Sequence, residues 1–423
     1  MNRSFTLQLY WSAMTTLGHQ ARASVSEKVY AVFTAAAAAI LVFIVALDFK
    51  LAADQSFSTF ILDPGGFPVG RDFLNTWMGG RSMFSSGPAD WFDSDVYMAA
   101  LVKVTGISDL APMYWSYPPH IVLLLWPFGL LGFLPSYIVW CAVGLALYVW
   151  AAVASGVDRK YWLFLAVAPA VTVNVFLGQN GFLTAALLIG GLANLDRRPV
   201  IAGILFGILT IKPQFGLLLP VLLVLGGYWR VISSAVATTA LLVAATAIWF
   251  GPDIWIQYWQ KVAPQQHDLL NVAGIKGWPI VASAFVNARL IGLSDNFAWV
   301  VQAVISACAF GAVVWTFWRK RDPVLSQALF VTATFLVLPW ITNYDMVVFG
   351  WIVALLRQRG NETFADQCLS LALWMLPILM FPLGFAHIPS ALFILPLFAA
   401  RLLWRLAHDT SERASTAQVL VAT

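Results

Sequence analysis

VYAVFTAAAAAILVFIVAL, residues 29–47, runs without a charged side chain between Lys28 and Asp48. An α-helix needs roughly 20 apolar residues to cross about 30 Å of hydrocarbon, and this stretch supplies them. Similar runs recur near 135–155, 161–177, 181–195, 199–211, 213–228, 231–250, 296–318, 323–339, 343–356, 366–383 and 387–406, twelve in all. Sixty per cent of residues are hydrophobic and 10% charged, a balance outside that of soluble globular chains. The runs are continuous and lack the ten-residue alternation of a membrane barrel. The expected fold is therefore an all-α polytopic membrane protein, one domain over 1–423 with about twelve transmembrane helices. The run 119–133, flanked and broken by Pro118, Pro119, Pro127 and Pro135, reads as a tilted or re-entrant half-helix. No small-residue cleavage site follows 29–47, so it is expected to remain as the first span.

Basic residues orient the spans. With the N-terminus in the cytoplasm, the turns at Arg159-Lys160, Arg197-Arg198, Arg230, Arg319-Lys320-Arg321 and Arg357/Arg359 all fall inside, with Arg3, Arg22, Lys28, Arg401, Arg405 and Arg413. Sixteen of the 24 Lys and Arg then face the cytoplasm against eight acidic residues, and eight face outward against twelve. Both termini, including the polar tail 408–423, are expected inside. The outer face receives a long first loop (49–118), a second large loop (251–295) and every unusual polar motif.

The first loop opens its chemistry at Arg71-Asp72, followed by an expected amphipathic surface helix, FLNTWMGGRSMF, and closes on Tyr117-Pro118-Pro119. Asp72 has two readings: a helix cap, or a carboxylate at the water–lipid boundary that takes a proton from an attacking hydroxyl. Lys212, between two apolar runs and before Pro213, either snorkels to headgroups or points into a polar cavity, the default for an ionisable group at that depth. Gly178-Gln179-Asn180-Gly181 is a turn whose amides can hydrogen-bond hydroxyls. Gln214 follows Lys212. Asn343-Tyr344-Asp345 starts a run, so Asp345 can cap its helix or meet a ligand. Aromatic residues from Trp249 to Trp278, with His267, Asp268 and Lys276 among them, suit a membrane interface.

Cys141, Cys308 and Cys368 show no metal or redox spacing and read as small hydrophobes. The five histidines form no His-x-x-x-His pair, so no metal or other cofactor is expected.

Taken in order, Asp72-Phe-Leu-Asn-Thr-Trp-Met-Gly-Gly-Arg81, Tyr117-Pro-Pro, Gly178-Gln-Asn-Gly and Lys212-Pro-Gln resemble glycosyltransferase family 87. The resemblance runs from about 69 to 259. Family 87 belongs to the GT-C superfamily of polyprenol-phosphate-sugar-dependent transferases and includes bacterial α-1,2-mannosyltransferases. The resemblance implies a GT-C-type fold in the bacterial inner membrane with a periplasmic active site. It implies that Asp72 is the base of an inverting single displacement moving a hexose, mannose first, from a polyprenyl-phosphate donor to a glycolipid or polysaccharide hydroxyl, with membrane lipids as the other partners and no nucleic acid. A departing phosphate needs positive charge. By elimination the outer-face candidates are Lys212, Arg71, Arg81, Lys276 and Arg289, with Lys212 and Arg289 favoured. Tyr117, Gln179, Asn180, Gln214, His267, Asn343, Tyr344 and Asp345 are the candidate sugar and acceptor contacts. Pro339-Trp-Ile-Thr-Asn-Tyr-Asp345 occupies a loop where family members often carry histidine or acidic residues; here it carries Asp345 and no histidine. The competing readings are a multi-span transporter or flippase, which would place paired charges in mid-membrane between comparable halves, and a lipid-linked glycan polymerase or ligase with arginine-rich outer loops.

Overall fold

Each apolar run expected from the sequence is helical, and their lengths divide them into two groups. Among the described residues six helices are long and apolar enough to cross a membrane: Glu27–Asp54, Phe133–Ala154, Trp229–Phe250, Asp295–Trp318, Phe364–Phe385 and Ser390–His408. The pair Arg159–Ala166 and Pro169–Leu177, bent by 49°, makes a seventh if taken as one span. The other expected spans are shorter, among them Gly181–Ala193 (13 residues), Pro199–Leu209 (11) and Pro323–Val337 (15). At 1.5 Å per residue even a 15-residue helix covers only about 22 Å. Six or seven helices among the described residues are thus long and apolar enough to cross a membrane, where apolar runs alone count twelve. The computed structural model describes residues 3–421 apart from 86, 263, 267, 271–278 and 320, and side chains within 27–408 apart from those positions and 89. Among the described residues there is no strand, only isolated bridges at Leu62–Pro68 and Val281–Thr342.

The short helices are short because they stop at a shared polar level. Pro169–Leu177 ends at Gly178, and Gly181–Ala193 starts three residues on. Pro199–Leu209 ends just before Lys212, where Pro213 begins a new turn. Pro323–Val337 gives way to an extended stretch whose Ile341 carbonyl accepts from Ala282 N–H at 2.8 Å, while Asn343 N–H donates to the Ile280 carbonyl at 2.8 Å. The second large loop thereby fixes the start of the Asn343–Met346 turn.

The basic turns gather at the other end. Val347–Gln358 runs from the Asp345 turn to Arg357 and Arg359. There Arg359 makes a two-pronged pair with Asp322 (2.7 and 2.6 Å), and Asp158 N–H donates to Gln358 Oε1 at 2.7 Å. Arg401 pairs with Asp366 at 2.6 Å beside them.

The helix Phe73–Ser82, expected to be amphipathic and superficial, is buried at Phe73, Leu74, Thr76, Trp77, Met78, Gly79, Gly80 and Ser82. It packs against Val122–Gly129. The reason is steric. A Cβ on Gly80 would strike the Leu125 carbonyl and the Gly129 backbone, and one on Gly129 would strike the backbone at 80–81. Two facing glycines let the helices approach backbone to backbone, as small residues do in membranes. Gly80→Val should therefore destabilise the protein by about 1–3 kcal/mol, the usual cost of overpacking. Thermal unfolding in detergent checks this, and an unchanged midpoint would contradict it.

Candidate active site

The site is assembled on the turn at Gly178. Its φ of +69° is left-handed, which a residue without Cβ adopts freely, and a Cβ there would collide with Phe73. The turn thus sits directly against the start of the 73–82 helix, where Asp72 N–H donates to the Leu177 carbonyl at 2.9 Å. Trp140 Nε1 donates to the Gln179 carbonyl at 3.2 Å, and Tyr137 Oη donates to the Val175 carbonyl, holding the turn from the Phe133–Ala154 side.

Asp72 occupies the cap position of its helix but makes no side-chain cap bond. Its Oδ2 instead accepts from Gln179 Nε2 at 2.8 Å, across 107 residues of chain. Burial pushes the Asp72 carboxyl above the usual carboxylate range, opposed by the Gln179 hydrogen bond and the Arg71 charge. A half-buried carboxylate with raised proton affinity, one oxygen held by a side chain and no bond to the backbone is equipped to accept a proton.

Beside it, Asn180 Nδ2 donates to Tyr117 Oη at 3.1 Å. Burial first, and then the charges of Asp72 and Asp345, hold the Tyr117 hydroxyl protonated well above the ordinary phenol range. Tyr344 is raised likewise, by burial first and then by Asp345, Tyr117 and Asp72. Hydrogen bonds gather the same groups on one turn: Gln179 holds Asp72, the adjoining Asn180 holds Tyr117, and Asn174 joins the Tyr344 carbonyl to Gly181 N–H.

The opposite wall is an ion pair. Lys212 Nζ donates to Asp345 Oδ1 at 2.5 Å with both side chains buried, and the ammonium lies 4.8 Å from the Tyr344 ring centroid. Thr342 Oγ1 donates to the other carboxylate oxygen at 2.9 Å, and the same oxygen accepts from Thr342 N–H at 3.4 Å in a capping box. Asp345 therefore caps its turn and also neutralises Lys212. Asp72 does no capping.

Asn174 binds the pieces together. Its Nδ2 donates to the Tyr344 carbonyl at 2.6 Å and its Oδ1 accepts from Gly181 N–H at 2.9 Å. It escaped the sequence reading because it lies inside the apolar run Val171-Thr-Val-Asn-Val175; the usable signal is a lone amide in such a run.

The other candidates are placed as follows. Arg71 stacks over the Phe67 ring at 5.0 Å, and its buried Nε has no hydrogen-bond partner among the described residues. Gln214 is half-buried on the turn after Lys212. Asn343 is buried and donates to the Pro377 carbonyl at 2.9 Å. Arg289, on the Ala284–Leu290 helix, is engaged locally, by Asp295 at 2.8 Å and the Leu293 carbonyl at 2.5 Å. His267 and Lys276 lie outside the described residues. Arg81 is exposed and stacks over Trp77 at 4.8 Å. No group of three or more His, Cys, Asp or Glu that could hold a metal occurs among the described residues.

Residues 115–339, more than half of the chain, match glycosyltransferase family 87. The chain belongs to this family. The match contains Tyr117, Gln179, Asn180, Lys212 and Gln214; Asp72 precedes it and Asp345 follows it. Both carboxylates are nonetheless tied to the matched segment, Asp72 through Gln179 and Asp345 through Lys212. No curated protein and no solved structure matches the chain. With its apolar helices, this family 87 member is a membrane glycosyltransferase.

Proposed function

We propose that the protein moves a hexose, mannose in the first instance, from a polyprenyl-phosphate donor to a glycolipid or polysaccharide hydroxyl on the periplasmic face of a bacterial inner membrane. The observation that carries this reading is the Asp72 carboxylate, withheld from helix capping and fixed by Gln179 inside a polar cluster where several helices end. A site enclosed by apolar helices suits a donor whose lipid chain lies in the bilayer.

In the proposed step the acceptor oxygen attacks the anomeric carbon as its proton passes to Asp72. The bond from that carbon to the phosphate oxygen breaks, its electron pair leaves with the polyprenyl phosphate, and the anomeric centre inverts. The departing phosphate gains a negative charge, so fixed positive charge lowers the barrier. The geometry favours Arg71 for this role, since its Nε is unpartnered and it adjoins Asp72. Lys212, held by Asp345, adds charge from the opposite wall, whereas Arg289 would have to release Asp295. Tyr117, Gln179, Asn180, Gln214, Asn343 and Tyr344 are assigned to the sugar and acceptor hydroxyls.

Purified protein in proteoliposomes, given labelled polyprenyl-phosphate-mannose or a nucleotide-linked mannose with a glycolipid and polysaccharide extract, tests the donor. Transfer from the lipid-linked sugar alone is expected; transfer from the nucleotide sugar would overturn the assignment. The base must be ionised to act, and burial raises its pKa. Hence kcat/KM should rise with pH through a midpoint above the unperturbed value of about 3.9. Gln179→Met, which removes a bond to the charged form, should move that midpoint higher still. A midpoint that ignores Gln179 would separate the acid limb from Asp72.

A further inference from the structure

Three residues after Tyr117, His120 is 3% exposed and plays no part in the step above. Its ring is stacked on Trp255, with centroids 5.6 Å apart and planes 12° from parallel. Trp255 is itself fixed by Nε1, which donates to Thr246 Oγ1 at 3.1 Å. His120 Nε2 lies 3.1 Å from Thr210 Oγ1.

The protonation of the ring follows from Thr210. Its one hydroxyl hydrogen has a nearer acceptor in the Gly207 carbonyl, at 2.5 Å, than in His120 Nε2, at 3.1 Å, which favours the arrangement in which Thr210 Oγ1 accepts from the imidazole. In that arrangement Nε2 carries the hydrogen, and in the neutral ring Nδ1 keeps a bare lone pair. Nδ1 is buried and meets no donor among the described residues. Leaving a buried acceptor unpaired costs about 1–3 kcal/mol, so such an atom usually has a purpose.

A second acceptor in the same state is Asn180 Oδ1, also buried and without a hydrogen-bond partner among the described residues, on the residue whose Nδ2 holds Tyr117. His120 joins the two walls, since Tyr117 precedes it by three residues and Thr210 precedes Lys212 by two. Two neutral acceptors need O–H or N–H donors. A phosphodiester has no hydrogen to give, so they select the sugar part of a substrate and not its lipid phosphate.

We propose that His120 Nδ1, with Asn180 Oδ1, forms a hydroxyl-recognition subsite for a sugar ring, and that His120 is a specificity-determining residue. The proposal rests on the glycosyltransferase reading above and adds to it which atoms read the sugar.

The test uses two variants of the full-length protein. His120→Asn places an acceptor near the Nδ1 position and gives up the bond to Thr210. His120→Gln keeps a donor near the Nε2 position and has no acceptor at Nδ1. With polyprenyl-phosphate-mannose and its singly deoxygenated analogues, the wild type should discriminate against one deoxy sugar. His120→Gln should lose about two- to tenfold in kcat/KM, the worth of one neutral hydrogen bond, and lose that discrimination by the same factor. His120→Asn should keep it. A change confined to the donor KM places the recognised hydroxyl on the donor; one confined to the acceptor KM places it on the acceptor.

Equal losses in both variants, or an unaltered deoxy profile in His120→Gln, would overturn the subsite. If the wild type transfers nothing from this donor, the donor reading fails by itself. Thermal stabilisation by methyl mannoside, methyl glucoside and methyl arabinoside then tests His120 independently: loss of stabilisation in His120→Gln alone upholds the subsite, and no stabilisation of the wild type, or equal stabilisation of all three proteins, refutes it.

Discussion

Asp72→Asn should lower kcat by about 10²–10⁴-fold, the usual contribution of a positioned general base, and leave the donor KM little changed. The amide keeps the size of the side chain and an oxygen that can accept from Gln179 Nε2, but it cannot take a proton. Stability should move the other way. Burial raises the Asp72 pKa, so the folded protein binds that proton more tightly than the unfolded chain does. Stability is then lost as pH rises from the unperturbed carboxylate value to the raised one, and the loss persists above that window. Asn removes the term, so at neutral pH the variant should melt at the same temperature as the wild type or higher. Rates from single-turnover transfer and melting curves from the same preparation check both halves. An inactive variant that also melts early would show a structural role.

The second large effect is on folding. Lys212→Met leaves the Asp345 carboxylate buried with Thr342 as its remaining side-chain partner. Removing one member of a buried ion pair costs about 3–5 kcal/mol, because the other charge stays behind without compensation. Adding Asp345→Asn should recover much of this, since the amide can still accept from Thr342 and carries no charge. The expected order of unfolding midpoints is wild type, then the double variant, then Lys212→Met. A Lys212→Met protein as stable as wild type would mean that the pair is not charged.

The site was legible because polar residues interrupt an apolar chain there: Arg71-Asp72, Gly178-Gln-Asn-Gly and Lys212-Pro-Gln are visible breaks. What hydropathy could not convey is partnership. Asp72 and Asp345 look alike as residues near helix starts, yet only Asp345 caps its turn, and the difference depends on Gln179 and Lys212, which are remote in sequence. The span count exceeded the six or seven long helices because hydropathy does not register that Gly178, Pro213 and the 338–342 stretch end helices at the site. The burial of the 73–82 helix was signalled by Gly79-Gly80, small residues that serve close packing. Arg289, chosen by elimination, meets an acid six residues away, Asp295, a local pairing that a count of free cations overlooks. Asn174 and His120 each sit inside or beside apolar runs, where a lone polar residue is a stronger signal than its surroundings suggest.

The most direct test of the central claim is a structure of Asp72→Asn in lipid with polyprenyl-phosphate-mannose bound. The account predicts the sugar among Tyr117, Gln179 and Asn180, its anomeric carbon facing residue 72 with room for an acceptor hydroxyl between them, and the phosphate toward Arg71. A donor bound with its anomeric carbon turned away from residue 72, or outside the cluster joined by Gln179 and the Lys212–Asp345 pair, would contradict it.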